Sequence, residues 1–289
     1  MLTAVSIFVL TPVVLTLLLS GKDAIVIKRD GNLDDYLPAM LCRQIPWEYE
    51  EEMKKVQAVL ARSSLYFSLE ENKETQKTIL KQWKEEIELQ KREQEQEGYR
   101  QAYDAMEKAV KETQGEMLFF QGKVCEGAFH RVSGGKTRDG LEVMEQIEKG
   151  YLIGVDSSWD MYGEGYLTGH YFSKESFKEL LKEEYPGIVF NEEPLEEQIV
   201  FQKKDSAGYL LEVEVAGQLI TGEEFRQMLQ LPSSNLTMQA AEDQIRFLCK
   251  GQGHGMGLSQ YGGNVLAQQG KTYLDILHYY FPACEIKKE

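Results

Sequence analysis

The sequence predicts an α+β domain, helical first and sheet-rich later, that follows an N-terminal membrane segment. Three observations predict it. Residues 4–19 are an apolar run without a charge. Residues 34–113 repeat apolar side chains at three-to-four spacing beneath charged faces. Beyond Gly115, short strand-like runs alternate with glycine-containing turns. No repeat of period 20 to 50 is visible. A chain of 289 residues with 42% hydrophobic and 10% aromatic side chains has the material for a real core.

The elements follow in chain order. Residues 4–19 (AVSIFVLTPVVLTLLL) fall between a signal-peptide core and a minimal membrane span, and Ser20-Gly21-Lys22 is a poor cleavage site. Residues 1–22 are therefore expected to be an uncleaved anchor, with the domain of residues 23–289 outside the cytoplasm; cleavage would make the protein secreted. A short strand is expected at 24–28 and a turn at 30–32. A helix starts near Asp34 and is broken at Gln44-Ile45-Pro46. The next helix carries Met53, Val56, Val59 and Leu60 on one face and runs to about Phe67.

Residues 68–113 shift to Glu, Lys, Gln and Arg, with one thin apolar stripe that includes Trp83, Tyr99, Tyr103, Met106 and Val110. This reads as a charged insertion of one or two solvent-bridging helices, supported by pairs such as Lys81 with Glu85. Strands are expected at 116–121, 123–131, 199–203 and 209–215. Helices are expected at 173–184 and 222–229, and a final one after the glycine-rich segment 251–263.

Charge excludes several partners. With 32 basic against 47 acidic side chains, the net charge is −15, and no basic cluster is present. Nucleic-acid binding, which rests on Lys and Arg neutralising phosphates, is not expected. Cys42, Cys125, Cys249 and Cys284 lie far apart without a C-x-x-C pair, which predicts neither a zinc ribbon nor a disulfide-dense scaffold.

Three segments carry candidate chemistry. Residues 249–263 (CKGQGHGMGLSQYGG) place a glycine at nearly every second position around His254. Such alternation is accepted where a side chain is presented on a tight turn, or where another group approaches the backbone closely. Ser259 and Gln260 would open the helix that follows. Residues 130–137 (HRVSGGKT) and 151–160 (YLIGVDSSWD) offer polar groups at strand-to-turn boundaries.

Taken in order, residues 35–46 (DYLPAMLCRQIP), residues 55–62 (KVQAVLAR), and then these three segments resemble the stage II sporulation protein D family (the SpoIID/LytB domain) over essentially residues 24–285. The resemblance implies a membrane-anchored lytic transglycosylase that cuts denuded peptidoglycan glycan strands during sporulation. It also implies a catalytic glutamate at the position held here by Gln44. An amide cannot serve as a general acid, and loss of one typically removes a factor of about 10²–10⁴. Asp160 and Glu48 are the carboxylates expected to replace it. Lys55, Arg62, Tyr151, His254, Ser259 and Gln260 are expected to hold the sugar, although Ile153 stands where the family has a lysine.

No cofactor is expected. Part of the family carries a His/Cys zinc cluster after the second helix. Residues 63–113 contain neither residue type, so no metal site is expected. The partners expected are glycan strands, the membrane through the N-terminal segment, and proteins of the cell-wall or sporulation machinery. Two functions follow from the resemblance: a lytic enzyme with a substitute acid, or an inactive glycan-binding scaffold that keeps the cleft.

Overall fold

A computed structural model of the chain describes residues 33–71, 97–144 and 146–288. The apolar run 4–19, the expected strand 24–28, the turn 30–32 and the stripe around Trp83 lie outside these residues. Among the described residues no helix is long and apolar enough to cross a membrane.

A 3₁₀ turn, Leu33–Tyr36, leads into α1 (Leu37–Gln44), which has Pro38 in its first turn and ends at extended Ile45. Helix α2 (Glu51–Glu71) is central: it touches α1, the helix Glu97–Glu112 (α3), and elements from the end of the chain. Met53, Val56, Ala58, Val59, Leu60 and Ala61 are all buried, so the charged face expected of it is confined to its first turns.

Over residues 97–112, helix α3 departs from the expectation of a solvent-bridging helix. It packs against α1 and α2 through Ala102, Met106, Ala109 and Val110, all under 9% exposed. Within α3 the expected stripe is present, with Met106 and Val110 buried. Its partner is the core, and the charges of α3 occupy the outer face.

After α3 come β1 (Glu116–Phe120), β2 (Lys123–Val124), β3 (Phe129–His130) and α4 (Gly140–Met144). The strand expected over 123–131 is thus broken into two short pieces. A second lobe follows: β4 (Leu167–Ser173), α5 (Lys174–Glu184), β5 (Ile199–Lys204), β6 (Leu210–Val215), β7 (Gln218–Thr221), α6 (Gly222–Met228), β8 (Leu236–Ala241) and β9 (Gln244–Lys250). The chain returns to the first lobe through β10 (Leu258–Ser259), α7 (Gln260–Gln268), α8 (Tyr273–Tyr280) and β11 (Glu285–Lys288). Two helices therefore stand where one was expected.

The sheets have the orders β11-β1-β2, β4-β9-β8 and β5-β6-β7, all antiparallel, while β10 pairs with β3 in parallel. Each lobe has its own core. In the second, β9 buries Ile245, Phe247 and Cys249 at alternate positions, and the Phe177, Phe225 and Phe247 rings meet with centroids 5.6 to 6.3 Å apart. Local caps start its helices: Ser173 accepts from the Ser176 N–H, and Thr221 with Glu224 forms a capping box.

The glycine-rich segment joins the lobes. Gly255 has φ +80° and faces the Tyr209 ring of the second lobe, where a Cβ would lie 2.5 Å from the ring. Gly257, at φ +68°, leaves no room between its Cα and the Ala128 carbonyl. Both reasons for glycine alternation operate: the backbone turns through left-handed φ, and neighbouring groups approach it closely. Beside it, Arg138 pairs with Asp205 at 2.6 Å, both side chains almost fully buried, and lies 4.9 Å over the Tyr209 ring.

Candidate functional site

Three side-chain amides meet where α1, α2 and α7 converge. Gln57 Nε2 donates to Gln44 Oε1 at 3.0 Å, and Gln260 Nε2 donates to Gln57 Oε1 at 3.1 Å and to the Gln44 carbonyl at 2.7 Å. Gln57 and Gln260 are buried, while Gln44 is half-exposed at the break between α1 and α2. Each partner has a local cause. Gln44 is the last residue of α1 before extended Ile45; Gln260 opens α7 behind its N-cap Ser259, whose Oγ accepts from the Gly262 N–H. The loop between α1 and α2 is tied down by Asn264, which accepts from the Glu50 N–H at 2.8 Å.

The triad lies within a wider polar rim. Burial raises the pKa of Tyr49, and the charge of Arg131 opposes that rise. The Arg131 carbonyl accepts from the Tyr261 N–H at 3.0 Å, next to Gln260. Arg131 is exposed, as are Trp47 and Glu48 on the loop. Among the described residues no salt bridge to the Arg131 guanidinium is present.

Asp160 is enclosed behind this rim, with 0% of the residue exposed. Its Oδ2 accepts from the Ser133 N–H at 2.7 Å, with the Ser259 and Ser157 hydroxyls beside the carboxylate, while Oδ1 has no partner. Desolvation raises its pKa in spite of these donors. The carboxylate thereby holds the Ser133-Gly134-Gly135 turn against the 151–160 segment, an attachment reinforced by the Ser157 N–H to the Gly135 carbonyl.

Other residues read from the sequence lie elsewhere. On α2, Lys55 and Arg62 share a face roughly 140–160° around the helix from Gln57. Arg62 is 1% exposed: it binds both oxygens of Asp34, at 2.7 and 3.1 Å, and the carbonyls of Glu116 and Val110. Lys55 bridges Glu112 at 2.8 Å and Glu52 at 2.7 Å, and these carboxylates push its pKa up. Both cations clip α2 to its neighbours.

Tyr151 is buried, donates to the Glu126 carbonyl at 3.0 Å and lines a groove of about 920 Å³ with Phe67, Phe120 and Lys149. His254 lines a different cavity of about 580 Å³ between the lobes, with Arg138, Glu142, Lys203 and Glu223. Its Nδ1 accepts from the Met256 N–H at 3.1 Å, which leaves the proton on Nε2, and burial lowers its pKa. Its ring lies 5.9 Å from that of His130. Among the described residues no group of three His, Cys, Asp or Glu is placed to hold a metal ion.

The sequence reading brought Gln44, Gln260, Ser259 and Asp160 to the same region. It missed Gln57, Tyr49 and Arg131. A signal for Gln57 was present: it is an uncharged polar residue on a face of α2 opposite Lys55 and Arg62, between apolar neighbours that must be buried. No comparable signal marked Arg131, because its placement depends on the parallel pairing of β3 with β10.

Comparison with known proteins supports the motif reading. The family model described as Stage II sporulation protein matches residues 22–120. A Bacillus amyloliquefaciens protein named stage II sporulation protein D is 27% identical over 266 residues, covering 89% of this chain and 74% of the relative. Its namesake in Bacillus subtilis (strain 168) is 26% identical with the same coverage. An uncharacterized protein of Brachyspira hyodysenteriae is 25% identical over 268 residues, covering 92% of this chain and 69% of that protein.

Proposed function

We propose that this relative of stage II sporulation protein D is a sporulation protein that engages peptidoglycan glycan strands at the rim around Gln44 and does not cut them. The observation that carries the reading is the amide triad. Lytic cleavage needs a proton donor at the leaving glycosidic oxygen. Position 44 presents a carboxamide whose oxygen is held by Gln57, while Gln260 holds the backbone carbonyl of the same residue.

The two carboxylates considered as substitutes do not meet the same need. Asp160 has a raised pKa, the right direction for an acid, but it has no exposed surface and already holds the Ser133 turn. Glu48 is exposed on the loop beyond Pro46, outside the triad. A half-exposed amide, with Trp47 and Tyr49 on the loop that follows it and exposed Arg131 bonded through its carbonyl to Tyr261 beside Gln260, suits recognition instead: aromatic faces for sugar rings, an amide for hydroxyls and acetamido groups, and a cation for the carboxylate of muramic acid. Lys55 and Arg62, expected in that last role, are engaged in ion pairs, and Arg131 takes it over.

The test uses the full chain in detergent with denuded glycan strands. Binding is measured by co-sedimentation, and anhydro-ended fragments are sought by mass spectrometry. The native chain is expected to bind and release no fragments, while Gln44→Glu restores cleavage by a factor of about 10² or more over the native chain. Fragments from the native chain would make it an enzyme with a substitute acid. Absence of binding would end the glycan reading.

A further inference from the structure

Two thiols of the first lobe lie side by side in its core. Cys125 Sγ and Cys284 Sγ are 3.6 Å apart across 159 positions of chain, and both residues are buried. Their places are set by the backbone and not by the sulfurs. The Cys125 N–H donates to the Leu118 carbonyl at 3.1 Å, which holds it against β1; the Cys284 N–H donates to the Phe281 carbonyl at 3.0 Å, in the turn that leaves α8. Cys42 is half-buried on α1, and Cys249 lies in the separate core of the second lobe.

We infer that Cys125 and Cys284 form a disulfide when the folded chain meets a small-molecule disulfide. A short rotation of the two side chains closes the gap between a van der Waals contact of sulfurs and the bond length of about 2.05 Å. Access is through Cys125, which lines the 920 Å³ groove with Phe67, Phe120, Lys149 and Tyr151. The order of events follows from that access. The Cys125 thiolate attacks one sulfur of the small disulfide, forming a mixed disulfide and releasing one small thiolate. The Cys284 thiolate then attacks the Cys125 sulfur and releases the second. The two protein thiols are oxidised, the small disulfide is reduced to two thiols, and the two protons lost by the protein end on them.

The bond would tie the two edges of one sheet. Cys125 directly follows β2 and Cys284 directly precedes β11, and both strands flank β1. β11 is the last strand of the chain, joined to the body along one edge, with Leu118 opposite Ile286. A covalent link at this point secures β11 and the end of α8, whose Tyr280 hydroxyl lies 2.9 Å from Ser157 Oγ, next to the segment that encloses Asp160.

The experiment treats the reduced full chain with glutathione disulfide, alkylates residual thiols after unfolding, and maps the peptides by mass spectrometry. The expected result is a peptide containing Cys125 joined to one containing Cys284 with the loss of two hydrogens, while Cys42 and Cys249 are alkylated. The thermal midpoint of the oxidised chain is expected to rise by roughly 5–10 °C over the reduced chain. Cys284→Ala is expected to abolish that rise and to leave glutathione on Cys125. Alkylation of Cys125 and Cys284 in the treated native chain, or a stable glutathione adduct on Cys125 in place of the link, overturns the inference and makes the two thiols packing neighbours only.

Discussion

Two opposite faces of α2 handle buried polar groups in contrasting ways. One face holds Lys55 and Arg62 in ion pairs with Glu112, Glu52 and Asp34. The other holds Gln57 among neutral amides, next to the half-exposed Gln44. The charged face commits its cations to carboxylates and carbonyls of the protein itself. The neutral face closes on itself through Gln57 and Gln260 and still presents one amide outward. A basic residue at a family position is therefore weak evidence of substrate contact until its partners are known.

The strongest way to break this comparison is to remove the clip. Arg62→Ala takes away a nearly buried guanidinium that satisfies one carboxylate and two carbonyls. Breaking one side of a buried pair leaves the other uncompensated, and a loss of about 3–5 kcal/mol in urea unfolding is expected. Glycan binding by the fraction that remains folded should be unchanged. Lost binding by a variant of native stability would return Arg62 to the site.

On the neutral face the expected effect is smaller and double. Gln57→Leu removes the donor to Gln44 and an acceptor for Gln260, which costs about 1–3 kcal/mol as those amides lose their buried partners. It also frees Gln44 to rotate, so glycan affinity is expected to fall by about 5-fold or more in titration calorimetry. A variant that loses stability and binds normally would reduce the triad to packing.

The contrast between the two faces was not legible in the sequence, although several elements around it were, and the limits have physical causes. The break at Gln44-Ile45-Pro46 was readable because proline cannot extend a helix, and the helices at 173–184 and 222–229 were placed close to α5 and α6, which the structure caps with Ser173 and Thr221. Helix α3 was misread because its surface charges outnumber the Ala102, Met106, Ala109 and Val110 stripe, and composition does not tell which neighbour a thin stripe meets. Strand β4 was missed because none of its residues is buried, so no clear hydrophobic alternation marks it. The roles given to Lys55 and Arg62 came from family position. Only the pairing of α2 with α3 and Asp34 determines where those cations point.

His130 extends the neutral side of the comparison to pH. Its Nδ1 donates to the Met256 carbonyl at 3.0 Å, Nε2 is buried without a partner, and desolvation with His254 nearby brings its pKa down to about 3. An unfolded histidine titrates near 6.5. Between these values the unfolded chain binds more protons, so this contribution to stability is complete above pH 6.5 and is lost as the pH falls towards 3. The slope is at most ~1.4 kcal/mol per pH unit. His130→Asn, which keeps a donor for Met256, should flatten the stability profile over that range in urea titrations at stepped pH. His254, also shifted down, leaves a residual slope. An unchanged profile would assign the acid sensitivity to other groups.

The smallest expected effect separates recognition from folding most sharply. Arg131 is exposed and donates no side-chain hydrogen bond among the described residues, so Arg131→Gln should change stability by less than about 0.5 kcal/mol. The same change removes the cation whose charge acts on Tyr49 and should weaken binding to glycans that carry muramic carboxylates by about 3- to 10-fold at low salt, with the difference shrinking as salt rises. Chitin oligomers, which offer the same acetamido groups and no carboxylate, should bind the native chain and the variant alike. Equal losses on both glycans would place Arg131 in general packing of the rim; a loss confined to the carboxylate-bearing strand would make Arg131, together with the neutral face of α2, a muramic-acid reader, in contrast to the ion-paired face behind it.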